Sequence, residues 1–120
     1  MNQLNVMGLK QVLLLRDDVG MSCGKKISQG SHACLKAYRK LEDGKAEEWL
    51  NTGGKKIALS VSEEELIKRF QRAKDQGLNA AMVKDAGMTE IKPGTKTAAA
   101  IGPDKESKVD KVTGDLKLMK

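Results

Sequence analysis

The sequence predicts an α/β layer structure, and three observations predict it. Short apolar runs that read as strands alternate with stretches of helical spacing along most of the chain. The first run, Gln11 to Arg16 (QVLLLR), is apolar without alternation and bounded by Asp17, Asp18 and Gly20, the pattern of a strand buried on both faces. A second strand-like run ends at Val61, and Ser62 with Glu65 then forms a capping-box signature, so strand passes directly into helix. Strands separated by helices in this way are joined by right-handed crossovers that place helices on both faces of a sheet.

In chain order, residues 1 to 8 show no periodicity and are expected to fray. After the first strand and a glycine turn, Gly24 to about Leu41 has helical spacing with two separated faces. Ile27, Ser31, Cys34, Tyr38 and Leu41 fall on one; Lys25, Gln29, His32 and Lys36 fall in a polar stripe nearly opposite, expected to be exposed. Residues 43 to 51 read as a short helix ending before Gly53-Gly54, and Lys56 to Val61 as the second strand. The helix opened by Ser62 runs through Leu66, Phe70 and Ala73 to a stop at Gly77. Ala80 to Val83 is a short third strand. The loop KDAGMTEIKPGTKT follows, and Thr97 to Ile101 forms a fourth strand stopped by Gly102-Pro103. That loop is short enough for the third and fourth strands to be antiparallel. Residues 104 to 112 read as a last helical turn, and Leu116 and Leu118 alternate like an extended segment.

The chain's 120 residues suit one domain spanning 1–120, with a core that needs neither disulfide nor metal. The longest strongly apolar run, Val12 to Leu15, falls far short of the ~20 residues that span a bilayer. The polar start lacks a signal-peptide apolar region, so no membrane association and a cytoplasmic location are expected. Cys23 and Cys34 stand eleven positions apart without a CxxC pair, and the single His32 cannot complete a zinc site with them; no metal is expected. A net charge of +6 draws the protein toward a polyanion. With Tyr38, Trp49 and Phe70 the only aromatic residues, base-stacking platforms are missing, so a nucleic acid would be held by its phosphates.

Ligands of open α/β sheets gather beyond the carboxyl ends of the parallel strands. That edge collects the Asp17 to Gly24 turn, the Asp85 to Thr89 loop and the entry to the fourth strand at Thr95 and Thr97. The turn GMSCGKK offers glycines, free backbone N–H groups and a helix dipole to a phosphate, with Lys25 adding a full charge. It is not a Walker loop, because three residues rather than four separate its glycines and Lys26 follows Lys25. A tight turn beside a solvated lysine fits the same residues. His32 shares its stripe with Lys25 and Gln29, which suits either a solvated helix surface or a catalytic imidazole. Asp85 at a strand end is either a turn former or a base, with the hydroxyls of Thr89, Thr95 and Thr97 around it. Cys23 sits near a helix start, but His32 lies roughly 13 Å further along the axis at 1.5 Å per residue, too far for direct proton transfer.

These residues resemble a known family, the type II peptidyl-tRNA hydrolases. Asp18, Met21, Gly24, Lys25, Gln29, His32 and Ala33 match its amino-terminal signature in order. Asp85, Ala86, Gly87, Thr89, Pro93, Gly94, Thr95, Thr97, Gly102 and Pro103 match its second, more specific signature, and VDKVTGDLKL resembles its closing motif. The resemblance extends from Lys10 onward. It implies a three-layer α/β/α domain with a four-stranded mixed sheet in the order 2-1-4-3, strand four antiparallel, and a homodimer.

It also implies a cofactor-free reaction in which water releases the peptide of peptidyl-tRNA from the ribose hydroxyl. The implied catalytic positions are Lys25, His32, Asp85, Thr89 and Thr97; substrate contacts are expected at Gly24, Lys26, Gln29, Gly87 and Thr95. The chain departs from the family pattern at Ser22, Cys23, Lys26, Ile27, Ser28 and Met88. The Ser22-Cys23 departure motivates an alternative expectation, a paralogue of the same fold that binds RNA or protein without catalysis.

Overall fold

The structure, a computed structural model, describes residues 8–87 and 91–120. Within them the element order is β1 (Leu9–Arg16), α1 (Cys23–Tyr38), α2 (Asp43–Asn51), β2 (Lys56–Val61), α3 (Glu63–Asp75), β3 (Ala80–Lys84), β4 (Lys96–Lys105), α4 (Glu106–Thr113) and β5 (Lys117–Leu118). The expectation of a frayed start falls, for 1–7, outside the described residues; Gly8 is held through its carbonyl, which accepts Glu106 N–H at 3.3 Å.

The strands form one mixed sheet, and here the expectation of four strands in the order 2-1-4-3 is corrected: the described residues contain five, in the order β3-β4-β1-β2-β5. β1 runs parallel to β2 and antiparallel to β4, and β4 is antiparallel to β3 as well. The fifth strand comes from the chain's tail. Lys117 and Leu118 pair antiparallel with Ser60 and Leu59, and Met119 N–H donates to Ala58 O at 2.9 Å. The extended segment expected around Leu116 and Leu118 is thus a two-residue ladder, and it covers part of the edge that β2 would otherwise leave bare.

β4 also runs further than Gly102-Pro103 was expected to allow, through to Lys105. The partner strand β3 begins opposite Ile101, at Ala80, so Pro103 lies beyond it and its missing N–H costs no bond on that side. On the other side the register slips between Lys10 and Val12, and Gly102 adopts φ +96 with its α-carbon against the β1 backbone. A Cβ there would stand 2.5 Å from Lys10 O, which restricts the position to glycine.

Alternation along the strands divides the core in two. Val12 and Leu14 of β1, with Leu59, Val61, Ala99 and Ile101, pack against Leu66 and Ala73 of α3 and Val109 and Val112 of α4. Leu13 and Leu15, with Ala58, Ala81, Val83, Ala98 and Ala100, face Ala33 and Ala37 of α1. Both faces of the sheet are thus covered by helices. No helix of the described residues is long and apolar enough to cross a membrane.

The orientation of α1 differs from the expected one. Its buried residues are Gln29, Gly30, Ala33 and Ala37, whereas Ile27 is 65% exposed and Leu35 58%. The reason is closeness of approach. A Cβ on Gly30 would stand 3.5 Å from Leu15 Cδ2, in ordinary contact, so this helix meets the sheet along a line of minimal side chains. Lys25 and Gln29 of the polar stripe are carried onto the sheet with it, whereas His32 and Lys36 stay exposed as expected, and the larger apolar residues are left outside.

Candidate active site

Two helix starts and two strand ends converge where β1 leaves the sheet. Ser22 caps α1, its Oγ accepting the backbone N–H of Lys25 at 3.2 Å. The position that departs from the family pattern therefore does ordinary capping work. Ser62 caps α3 in the same way, accepting Glu65 N–H at 3.2 Å. Arg16, buried at the end of β1, ties these parts together: its Nε donates to Asp18 Oδ1 at 2.8 Å and its Nη1 to the carbonyl of Lys96 at 3.1 Å. Asp18 Oδ2 in turn accepts the backbone N–H of Glu63 at 3.1 Å. The hydrogen bond from Arg16 holds the Asp18 carboxyl below the usual carboxylate range, partly opposed by burial and helped by the Glu63 N–H.

Asp85 follows β3 and is 4% exposed. Its Oδ1 accepts Lys25 Nζ at 2.5 Å and its Oδ2 accepts the N–H of Gly87 at 2.8 Å. The backbone is clamped as well, with Asp85 N–H donating to Thr95 O at 2.8 Å and Asp85 O accepting Gly94 N–H at 2.9 Å. Gly87 is needed in this turn for two reasons. Its φ is +87, and a Cβ would come within 2.6 Å of the Pro93 ring. Lys25 and Asp85, with side chains 8% and 0% exposed, form a buried ion pair across the crevice. One of the ammonium's three donors is engaged there.

Thr97 reaches the site through a β-bulge. Val83 pairs with Ala98 but Lys84 pairs with Lys96, so Thr97 is an extra residue in β4. Strict alternation from Ala98 would turn Thr97 toward α3, since Ala98 and Ala100 belong to the α1 side and Ala99 and Ile101 to the other. The bulge re-aims it. Its hydroxyl accepts Gln29 Nε2 at 2.6 Å and donates weakly to Val83 O at 3.4 Å. Gln29 and Thr97 are both buried, so neither polar group has water as an alternative partner.

The structure therefore brings together Lys25, Asp85, Gly87, Gln29, Thr97 and the backbone of Thr95. Other expected positions stand apart from that cluster. His32 is exposed on α1, two turns beyond Lys25, and among the described residues its ring faces Ser28 Oγ at 3.4 Å. Gly24 is exposed, with open space where a Cβ would be. Lys26 turns to the other flank of α1 and lines a cavity with Asp17, Ser60 and Lys117. Thr89 and Met88 lie outside the described residues. Arg16 and Asp18 were not expected to matter structurally as a hub. A buried-strand run ending in a charge followed by Asp-Asp was the available sign, but a turn composition explains the same letters. Among the described residues no group of three or more His, Cys, Asp or Glu side chains is placed to hold a metal ion.

Fold and site together define an α/β protein whose sheet edge carries a buried lysine–carboxylate pair beside a fixed threonine hydroxyl, a set suited to acid–base chemistry and to stabilising an oxyanion. The profile of the family described as Peptidyl-tRNA hydrolase PTH2 matches residues 9–119, and the chain belongs to that family. It is 44% identical over 115 residues to the peptidyl-tRNA hydrolase of Methanocaldococcus jannaschii, covering 92% of this chain and 100% of the relative. It is 44% identical over 114 residues to that of Methanopyrus kandleri, covering 92% and 98%. Among solved structures, a protein of unknown function from Agrobacterium tumefaciens shares the fold with a TM-score of 0.65 at 15% identity, over 92% of this chain and 97% of that one.

Proposed function

We propose that the chain is a peptidyl-tRNA hydrolase working in the cytoplasm, and that one domain carries its whole site. The observation that supports this best is the buried contact between Lys25 Nζ and Asp85 Oδ1 at 2.5 Å. In the proposed reaction water attacks the ester carbonyl carbon and gives its proton to Asp85. Lys25, whose ammonium carries three donors, stabilises the negative charge that develops on the carbonyl oxygen. The carbon–oxygen bond to the ribose then breaks, and the proton passes to the departing hydroxyl oxygen. Gln29 holds the Thr97 hydroxyl in register beside this pair, Thr89 completes the set, and His32, Gly24, Lys26, Gly87 and Thr95 contact or orient the substrate.

Ser22 supports the catalytic reading over the non-catalytic paralogue, because the departure that motivated the latter leaves a normally capped helix start. Incubation of the purified protein with an N-blocked aminoacyl-tRNA decides between them. Release of the blocked amino acid is expected, and retardation of the tRNA without release would leave only a binder.

The protein also acts as a homodimer in this reading. Exposed Ile27, Leu35, Tyr38 and Leu50 border a largely apolar cavity of about 500 Å³ floored by Leu13 and Ala58. An apolar patch of this kind on α1 and α2 fits a second copy of the chain. Light scattering of Leu35→Asp against the unaltered protein tests it, with a shift from dimer to monomer mass expected.

A further inference from the structure

The distribution of charge on α1 goes beyond what the buried pair requires. Between Asp18 and Glu42 the chain has five cationic side chains, Lys25, Lys26, Lys36, Arg39 and Lys40, and no carboxylate. The whole protein carries +6, so the rest of it contributes only 6 − 5 = +1. At about 100° per residue, Lys25, His32, Lys36, Arg39 and Lys40 all fall within roughly 100° of one helix face and its continuation. Four of the five cations therefore share one stripe that starts at the Lys25–Asp85 pair and runs along the outer edge of the sheet, Lys25 with its charge matched by Asp85, while Lys26 lies on the other flank.

Two of these lysines are held in place. β3 is an edge strand. Lys36 Nζ donates to Met82 O at 2.8 Å and Lys40 Nζ donates to Ala80 O at 2.5 Å. An ammonium has three donors, so each can hold a β3 carbonyl and still present N–H groups to an anion. Two residues along a strand separate those carbonyls by roughly 6.8 Å, a step comparable to that between successive phosphates of a nucleic-acid chain. Side chains already fixed this way lose little conformational freedom when a phosphate arrives. Lys36 and Lys40, with His32, Leu35 and Arg39, line an open cavity of about 560 Å³.

We infer that Lys36, Arg39 and Lys40 form a track for consecutive backbone phosphates of the tRNA, leading its acceptor end toward Asp85. This rests on the hydrolase reading for the identity of the RNA. Recognition by phosphates alone is independent of base sequence.

The experiment compares the unaltered protein with Lys36→Gln/Lys40→Gln, which removes both charges while keeping polar side chains, and with Lys36→Arg/Lys40→Arg. Deacylated tRNA binding is measured across a salt series, and peptidyl-tRNA turnover at fixed salt. The glutamine variant is expected to lower the slope of log affinity against log salt by about 1.5 to 2, from two lost phosphate contacts. It should raise KM about 10-fold or more with kcat unchanged, while the arginine variant keeps the original slope. An unaltered slope in the glutamine variant, or an equal loss in the arginine variant, overturns the track and leaves edge capping as the role of these lysines. Failure of the hydrolase reading looks different: no release by the unaltered protein, whatever the salt slopes.

Discussion

The two faces of the sheet are built from different materials. The side covered by α3 and α4 is packed with Val12, Leu14, Leu59, Leu66, Ile101, Val109 and Val112, all fully or nearly buried. On the side covered by α1, much of the contact is made by Ala33, Ala37, Ala81, Ala98 and Ala100. Bulky side chains bury more apolar area and contribute more stability per residue. Alanines let a helix settle close to the strands, and only then can Lys25, Gln29, Lys36 and Lys40 reach groups on the sheet. The difference teaches that stability and chemistry are divided here between faces, with the thinner core on the chemical side.

The largest expected effect tests the division from the stable side. Leu66→Ala removes a fully buried side chain and should cost about 2–5 kcal/mol in denaturant unfolding, with kcat preserved below the lowered transition. A large loss of kcat in folded Leu66→Ala protein would mean that the faces are coupled.

From the chemical side, Asp85→Asn keeps the shape of the carboxylate but removes its charge. Turnover should fall about 10²-fold or more, equivalent to about 2.7 kcal/mol of transition-state stabilisation. Stability falls too, because Lys25 keeps a largely buried charge without its counter-ion. Wild-type-like release by this variant would remove Asp85 from the mechanism.

A smaller effect sharpens the role of the bulge. Thr97→Val deletes the acceptor of Gln29 and leaves a buried amide unpaired, at about 1–3 kcal/mol. Adding Gln29→Leu replaces both partners by apolar groups and should recover part of that loss in a double-mutant cycle. No recovery would show that the pair does not act as a unit.

The smallest effect belongs to the α3 side and appears only in acid. Arg69 Nη1 and Nη2 donate to the two carboxyl oxygens of Asp115 at 2.5 and 3.0 Å, and the hydrogen bond from Arg69 lowers the Asp115 carboxyl from 3.8 to about 2. The folded state thus binds this proton less tightly than the unfolded chain does. The contribution is full above the unfolded value of 3.8 and is lost as pH falls toward about 2. Asp115→Asn should flatten the thermal stability profile in that window while leaving catalysis at neutral pH unchanged.

Much of this was readable in the order of residues. Alternating strand and helix patterns, the capping box at Ser62 and the positions of Lys25, Asp85 and Thr97 depend on local spacing, which the chain carries directly. What could not be read has a common cause. Side-chain polarity points to the wrong face of α1, because the helix docks largely by its smallest residues, Gly30, Ala33 and Ala37. The hydroxyl of Thr97 reaches Gln29 only because one residue of β4 goes unpaired, and register belongs to two strands at once. β5 exists because a two-residue tail finds the free edge of β2.

The sequence by itself determined the main element types and the family, and it put Lys25, Asp85 and Thr97 among the candidate site residues, since these follow from neighbours within a few positions. Only the tertiary structure decided which side of α1 faces the sheet, that Asp85 meets Lys25 across sixty positions, and that Lys36 and Lys40 clasp the edge strand. Those outcomes depend on how closely two surfaces can approach, and closeness is a property of the packed pair rather than of either segment alone.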